Sequence, residues 1–235
     1  MIRADIRRIL KKVMFYIICL IAYIIMFTIK KEDTAIEQIS TMKVAMELLG
    51  SGLFPIAVFI FVYGEEFKAG VIHSVIGRGM SRAKIVTAKY LDCLILQLVC
   101  TIPLLLIVYI KDAISGLPIS PQQNIDIFWS YVFMYLQSAG CLAFGTMALF
   151  LTVSVAGGMV TLITFIMVVS DGLKMIQEYI PLRVYDFYYE GLVDKAKADL
   201  LVGSAPWQLI PAIAIYIVGV LILTGVLFER KELDL

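Results

Sequence analysis

Residues 64–89, GEEFKAGVIHSVIGRGMSRAKIVTAK, form a long charged segment enclosed between two apolar runs, and its reading decides how the chain is organised. A helix is expected to leave the preceding apolar run through Glu65, Glu66 and Lys68, to break at Gly77 and Gly79, and to restart at Ser81. Serine suits that restart because its side-chain oxygen accepts a hydrogen bond from the unsatisfied amides of a first turn. The shape is helix, elbow, helix. A cytosolic coupling element is one reading of it, and a solvated loop with its charges at a membrane surface is the other.

The composition fixes the setting of this segment. Of 235 residues, 61% are hydrophobic, and the mean hydropathy is +0.92. Such a chain has too little polar surface to cover its apolar side chains in water, so a polytopic membrane protein is expected. Cys19, Cys93, Cys100 and Cys141 all fall within apolar runs without CxxC spacing, which argues against a disulfide framework or a zinc site. Residues 1–12 are basic, but the apolar run after them is long enough to span and lacks a small-residue cleavage site, so no cleaved signal is expected.

A spanning helix needs about 20 mostly apolar residues. Six runs approach that length, near 13–29, 48–63, 91–110, 127–153, 158–176 and 207–228. Asp171 and Lys174 interrupt the fifth beyond Ser170. Lys and Arg near the span ends set orientation. With the N-terminus inside, Arg3, Arg7, Arg8, Lys11, Lys12, Lys68, Arg78, Arg82, Lys84, Lys89, Arg230 and Lys231 are cytosolic, 12 of the 20 basic residues. Both termini and the elbow then face the cytosol of a multi-pass cell-membrane protein. The N-terminal IRADIRRILKK places Ile2, Ile6, Ile9 and Leu10 on one helical face and Arg3, Arg7 and Lys11 on another. An interfacial helix on the inner leaflet and a simple positive-inside anchor both fit. The outer loop 30–47 is polar and carries no usable motif.

Within the spans, Asp92 lies three residues after Lys89 at the cytosolic edge of the third run. An i, i+3 lysine lowers the cost of a carboxylate there. Gln97 and Gln137 lie deeper and must find hydrogen-bond partners, through helix packing or along a wet pathway. Ser138, Ala139, Gly140, Ala143, Gly145 and Ala148 leave little bulk on the fourth run and predict close packing. A short uncharged turn, SVAG, makes the fourth and fifth runs antiparallel neighbours. In the long outer segment 171–206, Tyr179, Tyr185, Phe187, Tyr188, Tyr189 and Trp207 beside it predict an aromatic belt on short helices broken at Pro181 and Gly191, with a simple surface loop as the alternative.

Some chemistry is excluded. No GxxxxGK[ST] loop occurs, so ATP-driven work needs another polypeptide. His73 is the sole histidine, which rules out HExxH. Glu65 and Glu66 invite comparison with the EExxxR of CAAX-processing intramembrane proteases, but Gly70 stands where the arginine is required and the further histidines are missing. No catalytic residue and no metal ligand is expected.

Glu66, Phe67, Gly70, Ile72, Ser81, Arg82 and Lys89 together resemble the pattern E-F-x-x-G-x-I, then S-R, then K, which follows the second span of ABC type-2 transporter permeases. The resemblance covers nearly the whole chain and is nearest to the small permeases of bacitracin- and lantibiotic-type self-protection exporters. It implies one all-α transmembrane permease domain over 1–235, with six transmembrane helices, a coupling elbow at 64–89 and an outer-leaflet segment at 171–206. It also implies pairing with a second permease subunit, of the same or a related chain, and docking to cytosolic ABC ATPase subunits that hold ATP and Mg. The coupling residues would be Glu65, Glu66, Phe67, Gly70, Arg78, Ser81, Arg82 and Lys89. The chain itself would bind no cofactor and no nucleic acid, with the lipid bilayer as its other partner. A secondary transporter or channel and a non-transporting membrane scaffold are the alternatives from other classes.

Overall fold

The computed structural model describes residues 2–29, 34–68, 77, 79–116, 119–179, 183–201 and 209–231. Every regular element among them is a helix. In chain order these are α1 (Ile2–Ile9), α2 (Val13–Thr28), α3 (Ala35–Glu47), α4 (Phe54–Lys68), α5 (Arg82–Ser115), α6 (Pro121–Thr152), α7 (Val155–Thr164), α8 (Ser170–Tyr179), α9 (Val184–Phe187), α10 (Tyr189–Leu201) and α11 (Leu209–Arg230). Two π-helical stretches, Leu48–Leu53 and Phe165–Val169, join α3 to α4 and α7 to α8.

Five helical runs are long and apolar enough to cross a membrane: Ile36–Glu65, Arg82–Ser115, Pro121–Thr152, Val155–Tyr179 and Leu209–Arg230. A sixth exists only if α1 and α2, bent by 69° to each other, count as one. The 16 residues of α2 extend about 24 Å at 1.5 Å each, short of a hydrocarbon core about 30 Å thick.

The runs exceed their sequence-based bounds for local reasons. The polar stretch expected as an outer loop is, from Thr34 onward, the helical start of the second run. Thr34 caps it by accepting from the Glu37 amide at 3.3 Å and donating to the Glu37 carboxylate at 2.9 Å, while Ile39, Met42 and Met46 bury one face. The third run starts at Arg82, nine residues before its expected onset at 91, so the second half of the elbow and the span are one helix. The fourth begins at Pro121 behind a reciprocal Ser120–Gln123 capping box. Between α6 and α7 only Val153 and Ser154 turn the chain. Val153 takes a left-handed φ of 54°, and Ser154 accepts from the Gly157 amide at 3.3 Å, so most of SVAG belongs to the following helix.

The long helix α6 is the centre of the bundle, with 67% of its apolar window buried against 6% for Val155–Tyr179. Its small residues permit this. A Cβ at Gly140 would lie 2.2 Å from the Tyr189 ring, and one at Gly145 would meet Leu162 at 3.1 Å and Phe59 at 3.2 Å. Tyr63, Phe150 and Phe228 then tie α4, α6 and α11 together, with ring centroids 6.1 Å and 4.9 Å apart along the chain of contacts. The Tyr63 hydroxyl meets Thr146 Oγ1 at 3.0 Å. All four cysteines are free and buried, with the Cys19 and Cys100 sulfurs 3.7 Å apart.

The segment 171–206 departs from expectation in two ways. Tyr179 and Phe187 are exposed, but Tyr185, Tyr188 and Tyr189 turn inward into the core instead of forming a continuous belt. Gly191 does not break a helix. It lies inside α10, where a Cβ would come 1.8 Å from the Tyr185 carbonyl oxygen, so the missing side chain lets α9 and α10 pack backbone against backbone. Pro181 and Trp207 lie outside the described residues.

Candidate functional site

One end of the bundle gathers α1, the end of α4, the start of α5 and the end of α11, and ionic contacts fasten them. Lys89 in α5 donates to Asp5 of α1 at 2.7 Å and stands 3.8 Å from Asp92 one turn on. All three are largely enclosed, with Lys89 3% and Asp92 0% exposed. Lys12 pairs with Glu65 at 2.7 Å, joining the chain before α2 to the end of α4. Arg82 donates to the carbonyls of Phe228, at 2.8 Å, and Lys231, and stacks over the Phe228 ring at 5.3 Å. It thereby satisfies the open carbonyls of a helix C-terminus with a cation, which also suits the helix dipole.

Several of the elbow residues make contacts within the chain. Lys89 is turned into the bundle, where it braces α1 against α5. Arg82 is engaged by the C-terminus of α11, and Glu65 by Lys12 while keeping 62% of its side chain exposed. Phe67 packs on Phe150 with centroids 5.7 Å apart. Ser81 occupies the N-cap position with extended backbone, but its side chain makes no capping bond. Gly79 has a φ of 83°, the left-handed turn a break there requires. The Glu66 side chain, Gly70 and Arg78 lie outside the described residues.

The two glutamines part company. Gln97 is fully buried and donates to the Gly50 carbonyl at 2.6 Å, a group that Ser138 also approaches at 3.3 Å. Gly50 sits in the first π-helical stretch, where the regular bonding ladder is interrupted, so Gln97 is a packing residue. Gln137 instead faces Glu190 from α6 and lines a cleft.

That cleft, about 480 Å³, lies toward the opposite end of the bundle, between α3, α6 and the helices α8 to α10. Both π-helical stretches form part of its wall, through Leu48, Ser51 and Gly52 on one side and Ile166 and Met167 on the other. Its floor is Glu190, 3% exposed, whose carboxylate accepts from the Tyr189 hydroxyl at 2.9 Å with the Cys141 thiol at 3.7 Å. Burial pushes the Glu190 carboxyl up from its ordinary 4.5, against the opposing pull of hydrogen bonds from Ser170, Tyr189 and Gln137. Around the rim Lys197 pairs with Glu47 at 3.0 Å and Lys174 with Asp194 at 3.3 Å. Tyr185 donates to Asp194 and receives from Ser170 at 3.3 Å. Sequence reasoning had placed 171–206 at a surface and did not single out Glu190. Its only signal is a glutamate directly after two tyrosines that fold inward. No group of His, Cys, Asp and Glu among the described residues is arranged to hold a metal ion.

Comparison with protein-family models, with curated proteins and with solved structures finds no match to this chain.

Proposed function

We propose that the chain is the membrane-spanning permease subunit of an ATP-binding-cassette exporter, for a peptide antibiotic or another amphiphile. In this reading it works beside a second permease subunit, while cytosolic ATPase subunits bind ATP and Mg and dock on the elbow between α4 and α5. The observation that carries the reading is the fastening of four helices at the basic end. Lys12–Glu65, Asp5–Lys89 and the Arg82 cap on α11 join α1, α4, α5 and α11 around the point where the elbow leaves and returns. A push on the elbow would move these helices together, as coupling to a motor requires. The basic end then faces the cytosol, in keeping with the lysine and arginine distribution.

The test is recovery of the full-length chain from its native membranes. A soluble phosphate-loop ATPase is expected to co-purify, and the rigorously purified single chain is expected to hydrolyse no ATP. Hydrolysis by the single chain, or the absence of any ATPase from the native complex, contradicts the proposal. Glu190 favours a second reading, a secondary transporter, because a buried ionisable group in a membrane protein is commonly part of an ion or proton route.

A further inference from the structure

We propose that the cleft around Glu190 binds the positively charged head of an amphiphile, an alkylammonium or its equivalent, with Glu190 as counter-ion and the tail along the apolar lip. The inference rests on the cleft alone and needs no ATPase.

The charge balance of the site selects a cation. Its two lysines are each committed, Lys197 to Glu47 and Lys174 to Asp194. Glu190 and Asp171 remain without an ion pair among the described residues. Glu190 is held instead by neutral groups: the Tyr189 hydroxyl donates to it at 2.9 Å and the Cys141 thiol lies at 3.7 Å, with Ser170 and Gln137 beside it. Neutral donors orient a carboxylate without cancelling its charge, so a desolvated counter-ion arriving from outside meets a full electrostatic partner.

The walls select an amphiphile over a free inorganic cation. Val44, Leu48 and Met167 line the cleft and are 65%, 72% and 65% exposed, so one side of the site is an outward-facing apolar lip. These residues belong to runs long and apolar enough to cross a membrane, so the lip offers an apolar face to a lipid tail. A ligand with a charged head and an apolar tail satisfies floor and lip together. The volume of about 480 Å³ lies within the range of about 300–1,000 Å³ usual for small-molecule sites. The two π-helical stretches give the site its walls, and such local departures from α-geometry recur at functional sites.

The experiment uses the full-length chain in phosphatidylcholine nanodiscs and dodecylammonium labelled with a fluorophore at its tail end, with empty nanodiscs as the baseline. Saturable binding is expected, competed by unlabelled dodecylammonium and not by dodecyl sulfate. Glu190→Gln is expected to weaken binding about tenfold or more, the scale of one desolvated charge-assisted contact, and Asp171→Asn, at the exposed rim, about two- to threefold. In wild-type protein, binding should tighten as pH rises from 4.5 through the raised titration of Glu190 and then level off. Other groups facing the cleft also carry charge: Glu47 from α3, Asp171 and Lys174 from α8, and Asp194 and Lys197 from α10. Tyr185 from α9 and Cys141 from α6 are the further titratable neighbours. The share of the pH slope that Glu190→Gln abolishes is therefore the share that belongs to Glu190. Nanodiscs containing phosphatidylethanolamine distinguish the source. Depressed probe binding identifies a lipid ammonium as the resident head, and unchanged binding identifies a free amphiphile. No saturable binding above empty nanodiscs, equal competition by dodecyl sulfate, or a flat wild-type pH profile overturns the proposal, even if Glu190→Gln fails to fold.

Discussion

The basic end and the far cleft both enclose charged groups, but they treat them differently. At the basic end Lys89 stands between two carboxylates, Asp5 and Asp92, so each of these enclosed charges has an opposite charge beside it within the chain. In the cleft Glu190 is held by a hydroxyl at 2.9 Å and by other neutral groups, and its charge is left for something else to balance. The first arrangement fixes helices in place. The second keeps a site responsive to a ligand or a proton. Burial alone does not distinguish them, since Lys89 and Glu190 are both 3% exposed; the chemistry of the neighbours does.

The largest expected effect comes from breaking the ion-paired end. Lys89→Met leaves Asp5 and Asp92 without their common cation, and removing one member of a buried ion pair costs about 3–5 kcal/mol. Thermal unfolding in detergent should drop steeply or the protein should fail to accumulate, and the triple change with Asp5→Asn and Asp92→Asn should restore part of the loss. If Lys89→Met alone unfolds like wild type, the network is not a structural fixture.

Next in size is the cleft scaffold. Gly191→Ala sets a Cβ against backbone that cannot rotate away, and overpacking of this kind costs about 1–3 kcal/mol. Gly172→Ala, where a Cβ meets open space, is the matched control and should leave thermal stability unchanged or slightly raised. Equal effects would deny the close approach of α9 and α10. Arg82→Ala should follow at about 1–2 kcal/mol, from the lost cap on α11. Hydrogen exchange should then rise at the last turn of α11 and not across the bundle.

The pH response sharpens the same contrast. Because burial raises the Glu190 carboxyl above 4.5 in the folded chain, the folded state holds that proton more tightly than the unfolded state does. Its stabilising contribution is full below about pH 4.5 and is lost as pH rises through the folded value. Glu190→Gln should flatten this part of the stability profile, and an unaltered slope would assign it to another group. The smallest effect is expected from Glu65→Gln. The Lys12–Glu65 pair is 62% exposed on the glutamate side, so its loss should change stability by less than about 1 kcal/mol.

The apolar runs were legible because length and hydropathy are local properties, and Gly79 and the small residues of α6 announce a turn and a close contact by their own chemistry, while Ser81 marks the helix start by position without the capping bond expected of it. Helix lengths were less legible. The polar extension Thr34–Glu47 carries its stabilising face in only a few apolar residues, and a hydropathy reading stops where polarity begins. The pairing of Lys89 with Asp5 joins residues 84 apart in the chain, and no spacing rule relates them, whereas Asp92 at i+3 could be read directly. Tyr185, Tyr188 and Tyr189 were misplaced because a tyrosine suits a membrane interface and a hydrogen-bonded interior equally well. Glu190 was missed for the same reason, since its significance lies in the helices that close over it.

The most direct measurement is ATPase recovery with variants at the two ends, each normalised to the amount of chain in the membrane. Glu66→Gln and Gly70→Leu, in the elbow, should insert and fold yet recover less soluble ATPase, by about tenfold where a desolvated charged contact is lost. Glu190→Gln, in the cleft, should recover as much ATPase as wild type. Undiminished recovery with both elbow variants, or a loss confined to Glu190→Gln, would contradict the assignment of the basic end as the coupling face.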